Sequence, residues 1–320
     1  MNGELIAGYI KENWIWMVAS LLVATSVITL LIDGGKKKKW VKNSTGGSQI
    51  TVIKGRRLAV CSDAGLTISG YASSIIGTRK DQQDSYAVIP INDEKKDESG
   101  LLGIVCDGMG GLEFGKKASK TGVVTFIEQF QKNRFSAKNY TACARMAIDK
   151  ADENVVELSK KLGDGHRSGT TLVSVYVTDG KLHWCSVGDS RIYHYRQGKI
   201  DQLTRDHNYL LLLMEQVRKG MMSKEKAETD PEKDSLISFI GIDGVPLADI
   251  EEQGIPLKSG DIVVLCSDGL YKALSVAEME NIICSYEEKP AYLPGILTAS
   301  AMDKWCKHQD NTTVVVLSCR

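Results

Sequence analysis

Apolar positions come in two rhythms along this chain. Short apolar runs bounded by turn residues predict strands at Tyr86–Ile91, Leu101–Cys106, Thr170–Thr178, Leu182–Val187, Arg191–Arg196, Ile262–Cys266 and Val314–Leu317. Gln49–Ile53 and Leu58–Cys61 have the same character but no evident role. Longer amphipathic stretches predict helices over about 115–131 and 137–162, the second with Ala144, Ile148, Ala151, Val155 and Leu158 at helical spacing. Asn208–Lys219 and about 291–307 also read as helices, and Ser275 with Glu278 forms a capping box that opens another. Asp179-Gly180 and Gln197-Gly198 are turn signals, so the central strands are expected to pair antiparallel. Met221–Glu252 is polar, contains Pro231 and Pro246, and predicts a mobile surface excursion. There is no internal repeat, and the pattern is that of an α+β protein.

Several predicted strands end or begin on an acid. The run Leu101–Cys106 closes on Asp107, and three glycines, Gly108, Gly110 and Gly111, then allow a tight turn and close backbone approach. The same construction recurs at Asp189 and Asp268, while Asp310 precedes the last run. A strand followed by an Asp-Gly turn is common, so each instance alone reads equally as a loop signal. Together, acids brought to one end of a sheet repel one another and persist where a positive group sits among them, usually a hard divalent cation. Mg2+ or Mn2+ suits an all-oxygen set. No HExxH, paired Cys/His spacing, Gly-x-Ser-x-Gly elbow or phosphate-binding GxxxxGK[ST] loop is present. A two-metal hydrolytic site that activates a shared water is the chemistry these acids fit best.

One stretch does not belong to a globular core. Trp14–Ile32 carries no charge and is long enough to cross most of a hydrocarbon layer of about 30 Å. Trp14, Trp16 and Trp40 lie near its ends, and Lys36–Lys39 with Lys42 follow it. The expected organisation is a short tail over 1–12, a transmembrane helix over 13–32, a basic and polar linker over 33–66 and a catalytic domain over 67–320. The lysines put the N-terminus outside, the domain on the cytoplasmic side of the cell membrane, and basic side chains against anionic lipid. A buried soluble helix and a cleaved signal peptide are the competing readings. The latter lacks a basic leading cluster and a clear small-residue cleavage site.

Composition narrows the functional classes. Of 320 residues, 42% are apolar, enough for a sizeable core, and acidic and basic residues balance at 40 each. That balance removes the global electrostatic case for nucleic-acid binding. The eight cysteines include no CxxC pair, and Cys106, Cys185, Cys266 and Cys319 lie in or beside strand-like runs. They read as buried free thiols in a reducing compartment.

Seven short elements then appear in one order: Gly77-Thr78-Arg79-Lys80-Asp81-Gln82-Gln83-Asp84-Ser85, Asp107-Gly108-Met109-Gly110-Gly111, Ser168-Gly169-Thr170-Thr171, Val187-Gly188-Asp189-Ser190-Arg191, Leu203-Thr204-Arg205-Asp206-His207, Ser267-Asp268-Gly269-Leu270 and Asp310-Asn311. In this the chain resembles the metal-dependent Ser/Thr protein phosphatases of the PPM, or type 2C, class in their bacterial form, over about residues 67–320. The resemblance implies a four-layer α/β/β/α sandwich of two mostly antiparallel sheets flanked by helices, here preceded by the transmembrane helix. It implies two Mn2+ or Mg2+ ions. Asp107 would bridge them, Asp268 and Asp310 would complete one site, and Asp84 and the Gly108 carbonyl would serve the other.

By the same resemblance Arg79 would clamp the substrate phosphate, a task suited to a planar guanidinium. Asp164 would help to hold a third metal, with His166 next nearest. Asp189 looks structural, paired with Arg191. The excursion over 221–252 would be a flap beside the site. Many relatives carry a histidine just after the Asp-Gly-Met-Gly-Gly element, but here Leu112 and Glu113 follow. The leaving oxygen would then take its proton from Glu113, or from a water held by the metals, or leave without a strong general acid. Gln82 replaces the asparagine usual in the first element. The implied partners are phosphorylated proteins, an opposing Ser/Thr kinase and its targets, and membrane lipid. A non-catalytic phosphoprotein-binding module on the same fold is the alternative. A nuclease-like two-metal hydrolase lacks the basic surface it would need.

Overall fold

The computed structural model describes residues 57–93, 98–110, 113–133, 136–163, 168–304 and 308–320. The strands are β1 (Arg57–Asp63), β2 (Leu66–Ile75), β3 (Asp84–Asp93), β4 (Glu98–Met109), β5 (Gly169–Thr170), β6 (Leu172–Thr178), β7 (Lys181–Val187), β8 (Arg191–Arg196), β9 (Lys199–Gln202), β10 (Asp249–Ile250), β11 (Ile255–Pro256), β12 (Ile262–Cys266) and β13 (Thr312–Cys319). The helices are α1 (Glu113–Lys132), α2 (Tyr140–Leu162), α3 (Tyr209–Arg218), α4 (Lys224–Glu228), α5 (Asp268–Tyr271), α6 (Val276–Tyr286) and α7 (Leu293–Lys304). One sheet runs β1-β2-β13-β12-β8-β9. The other runs β10-β7-β6-β4-β3, with β11 added on β7 and β5 on β4. The pairings within both sheets are antiparallel, as the turn signals required.

The central strands are apolar on both faces because each is covered twice. On β4, Leu102, Ile104 and Cys106 pack toward α1 and α2, whereas Leu101 and Val105 turn to the other sheet. Gly103 lies on that inner face, where an added Cβ would come within 3.2 Å of Val175 and 3.6 Å of Val315. On β13, Val315 and Leu317 join the layer between the sheets while Val314 and Val316 pack with Leu293, Leu297 and Ala301 of α7. Three apolar layers therefore separate four structural layers: helices, sheet, sheet, helices. Continuous apolar runs, instead of strict alternation, are what double coverage demands. Truncating a fully buried member such as Leu101 to alanine costs about 2–5 kcal/mol.

Leu58–Cys61 finds its role as part of β1, the edge strand hydrogen-bonded to β2. The predicted capping box is present, with the Ser275 hydroxyl accepting from the Glu278 amide and the Glu278 carboxylate accepting from the Ser275 amide. The helix expected over 137–162 begins at Tyr140 and ends on Gly163, whose φ of 69° closes the last turn. The free cysteines among the described residues are buried, except Cys284. Among the described residues no helix is long and apolar enough to cross a membrane. The expected span over 13–32 lies outside the described residues, as does the linker up to residue 56; residues 57–66, expected as linker, form β1, its turn and the start of β2, because Ala59 and Cys61 pack into the layer between the sheets.

Candidate active site

Antiparallel pairing dictates which acids meet. Asp84 opens β3 and Asp107 lies near the end of β4, so the ladder sets them directly opposite each other. In the other sheet Cys266 pairs with Val314, which brings Asp268, just past β12, to the same end as Asp310, just before β13. Ser267 joins the two sheets: its hydroxyl donates to Asp84 Oδ2 at 2.8 Å and accepts from the Thr313 amide at 2.9 Å. Sequence elements more than 180 residues apart are thereby locked together.

Electrostatics records the crowding. Burial, then the charges of Asp84, Asp268, Asp189 and Asp310, push the Asp107 carboxyl well above the usual carboxylate range. Burial first, opposed by hydrogen bonds from Thr313 and Ser267, brings Asp84 up to about 7. Asp189 rises to about 6 through burial and the nearby Asp268. Two cations answer this charge. Arg79 Nη2 donates to Asp310 Oδ2 at 2.5 Å, and Lys272 Nζ to Asp268 Oδ2 at 2.5 Å.

The expected Asp189–Arg191 pair does not form. Arg191 makes a bidentate contact with Asp206 at 2.9 and 2.6 Å and lies 3.5 Å over the Tyr271 ring, while Asp189 accepts from the Tyr271 hydroxyl at 3.2 Å. Asp206 offers both oxygens to the planar guanidinium, a better match than a turn acid facing other carboxylates.

The backbone around the acids is held by polar side chains whose motifs were visible but whose tasks were not. The Asp107 amide donates to Thr171 Oγ1 at 3.0 Å, and its carbonyl accepts from the Thr171 amide and from Thr170 Oγ1, each at 2.9 Å. Ser190 Oγ lies 2.7 Å from Thr171 Oγ1. Gln82 accepts from the Asp84 amide at 3.0 Å and donates to Ser74 Oγ at 2.8 Å, so this longer side chain holds the turn that leads into β3. Asn311 accepts from the Gln83 amide and donates to the carbonyls of Ile76 and Asp81, fastening the loop that carries Arg79.

Gly108 is needed for space. A Cβ there would strike the carbonyl of Gly115 in α1, and one on Gly115 would come within 2.9 Å of the Gly108 carbonyl oxygen. The first turn of α1 therefore sits against the acid-bearing strand.

Asp152 was missed altogether. It sits on the buried stripe of α2, four residues after Ile148, and accepts from the amides of Gly241, Ile242 and Gly244 at 2.6, 3.0 and 2.7 Å. The neighbouring Ile240 exchanges backbone hydrogen bonds with Thr170 at 2.8 and 2.9 Å. A lone acid on an otherwise apolar helical stripe was the signal.

Of the expected site residues, Arg79, Asp84, Asp107, Gly108, Asp268 and Asp310 are brought together. Glu113 is the first residue of α1, but its side chain lies outside the description, and Leu112, Asp164 and His166 are outside the described residues. The acids fit a hard cation by two observations: every donor is oxygen, and Asp84 Oδ1 is buried without a hydrogen-bond partner. Among the described residues, no three His, Cys, Asp or Glu side chains close on one point as a finished ligand shell. Arg79 and Lys272 engage two of the acids.

The protein phosphatase 2C profile matches residues 69–210. A serine/threonine phosphatase of Listeria innocua is 31% identical over 194 residues, covering 60% of this chain and 75% of that protein. The chain belongs to the protein phosphatase 2C family. It is a protein-serine/threonine phosphatase. Among solved structures, the PPM Ser-Thr phosphatase MsPP of Mycobacterium smegmatis, in complex with cacodylate, shares 30% identity at a TM-score of 0.60, over 78% of this chain and 97% of that one. The catalytic domain of the phosphatase PstP in complex with two manganese ions shares the fold at 24% identity and a TM-score of 0.61, over 79% and 99%. The two-sheet sandwich of this phosphatase is that fold, and its acids lie at one end of the paired sheets.

Proposed function

We propose that this phosphatase hydrolyses phosphoserine and phosphothreonine in proteins with the help of two divalent cations, Mn2+ or Mg2+. Asp107 would be shared by both ions, Asp268 and Asp310 would complete one site, Asp84 and the Gly108 carbonyl the other, and Asp164 would serve a third. The observation that carries this reading is the gathering of Asp84 and Asp107, face to face, with Asp268 and Asp310. Like charges this close call for a proton or a compensating cation, and a dication shared among them supplies the latter. When bound, the ions supply positive charge for the phosphoryl oxygens and lower the pKa of water.

The protein's own part is positioning. Arg79 is 61% exposed and its guanidinium donates to Asp310, a carboxylate it can exchange for two oxygens of a phosphoryl group. The Thr170–Thr171 clasp and Ser267 hold the Asp107 and Asp84 backbones and carboxylates against the repulsion between them. Glu113, at the head of α1, is the candidate donor of a proton to the departing serine or threonine oxygen.

The decisive experiment uses the purified full-length chain and a phosphothreonine peptide. Phosphate release is expected with Mn2+ and is expected to stop on chelation. A folded protein that releases phosphate equally well in excess chelator would overturn the metal assignment.

We further propose that residues 13–32 anchor the enzyme in the cell membrane, with the N-terminus outside, 33–56 as a linker against anionic lipid, and the catalytic domain, which begins with β1 at Arg57, on the cytoplasmic side. Its substrates are then phosphoproteins at that surface, among them an opposing kinase and its targets. A reporter that folds only in the cytoplasm should fluoresce when fused after Arg320. A dark but expressed, membrane-bound fusion would reverse the orientation.

A further inference from the structure

Lys272 is, with Arg79, one of two cations among the described residues that pair with an acid of the cluster. It follows α5 directly, four residues after Asp268, and its amide donates to the Asp268 carbonyl at 3.0 Å, so the backbone itself sets the two side chains side by side. Lys272 Nζ lies 2.5 Å from Asp268 Oδ2. Its charge is also felt by Asp189 and Asp107; Arg79, bonded to Asp310, in turn feels Asp268 and Asp107, so both cations bear on the cluster. The ammonium is a compact point charge on a flexible stem, and the side chain is 48% exposed.

An ion pair at this spacing on an exposed helix is ordinarily a small local stabiliser. Here, as with Asp310 beside Arg79, the acid is also a proposed metal ligand. We infer that Lys272 is a built-in counterion of the acid cluster that competes with a divalent cation for Asp268. The inference rests on the metal reading above and deepens it: the site balances its own charge when metal is scarce, and metal entry must displace Lys272. The consequence is an affinity for divalent cations weaker than the acids alone would dictate. A positive charge held a few ångströms from a bound dication opposes it by Coulomb repulsion, and a loss of about tenfold in affinity is a modest expectation at the effective dielectric of a protein surface.

The test is calorimetric titration of MnCl2 into the full-length chain after stripping with chelator and buffer exchange. Lys272→Met keeps the apolar stem and removes the charge, and Lys272→Arg keeps the charge. The expected result is Mn2+ binding about tenfold tighter in Lys272→Met and close to wild type in Lys272→Arg. Thermal melts give a second readout independent of turnover. Without metal, Lys272→Met should melt below wild type, because the acids have lost a counterion, and the gap should close or reverse at saturating Mn2+. Unchanged or weaker Mn2+ binding in Lys272→Met, with the same loss of melting temperature with and without metal, would make Lys272 a merely structural partner and overturn the inference. If wild type and both variants all fail to bind Mn2+, the metal reading falls first, and the competition falls with it.

Discussion

Thr171 clasps Asp107 in both directions: the Asp107 amide donates to the Thr171 hydroxyl at 3.0 Å, and the Thr171 amide donates to the Asp107 carbonyl at 2.9 Å. The residue that carries the central carboxylate is thus held by its main chain. The first prediction follows from that clasp. Thr171→Val is nearly isosteric but leaves the buried Asp107 amide without an acceptor, at a cost of about 1–3 kcal/mol. Turnover should fall at least about tenfold for every substrate, whereas Thr171→Ser, which restores the hydroxyl, should recover most of it. Equal rates in the Val and Ser variants would show that the hydroxyl contributes nothing.

Asp107→Asn should abolish turnover, with a loss of about a thousandfold or more, because it removes the charge at the centre of the cluster. The same substitution relieves repulsion from Asp84, Asp268, Asp189 and Asp310, so the chelator-treated variant should melt above chelator-treated wild type. Glu113→Gln should reduce turnover more modestly. Steady-state rates on a phosphothreonine peptide and paired melting curves check all three statements.

Asp152 accepts three backbone amides from the turn over 241–244 while only 5% exposed. Asp152→Ala orphans those donors and should cost about 3 kcal/mol or more in urea unfolding. Because Ile240 pairs with Thr170 next to this turn, the loss should reach turnover as well. Asp152→Asn, which keeps one acceptor oxygen, should lie between wild type and alanine in both measurements.

Asp249 predicts a pH dependence of stability. Burial would raise its pKa, but the hydrogen bond from His207 and the bidentate Arg205, at 2.8 and 2.9 Å, prevail and hold it at about 2. Its folded pKa is below the ordinary value of about 3.9, so its stabilising contribution is complete above that pH and is lost as the pH falls toward about 2. Between pH 5 and 2.5, roughly, denaturant midpoints of wild type should therefore fall more steeply than those of Asp249→Asn. Parallel slopes would show that the carboxylate has the same affinity for protons in both states.

Much of the fold was legible because local physics is written in local patterns. The doubly covered strands β4, β12 and β13 appear as unbroken apolar runs, α2 as a helical stripe, and the cap of α6 as Ser275 and Glu278. The resemblance carried by the ordered motifs pointed to Arg79, Asp84, Asp107, Gly108, Asp268 and Asp310.

What the pattern could not contain was who faces whom. That Asp84 stands opposite Asp107 follows from the β3–β4 register, and that Ser267 reaches Asp84 follows from two sheets packing face to face. Arg191 lies two residues from Asp189 in sequence, yet the fold offers it both oxygens of Asp206 and the face of Tyr271. Asp152 was one acid among many until α2 met the turn after Ile240. The sequence by itself determined the elements, the family resemblance and the acids at the strand ends, because these depend on near neighbours. Only the tertiary structure decided the partners of those acids, because long-range hydrogen bonds and charge pairs are chosen by packing, where burial makes an unmatched polar group costly.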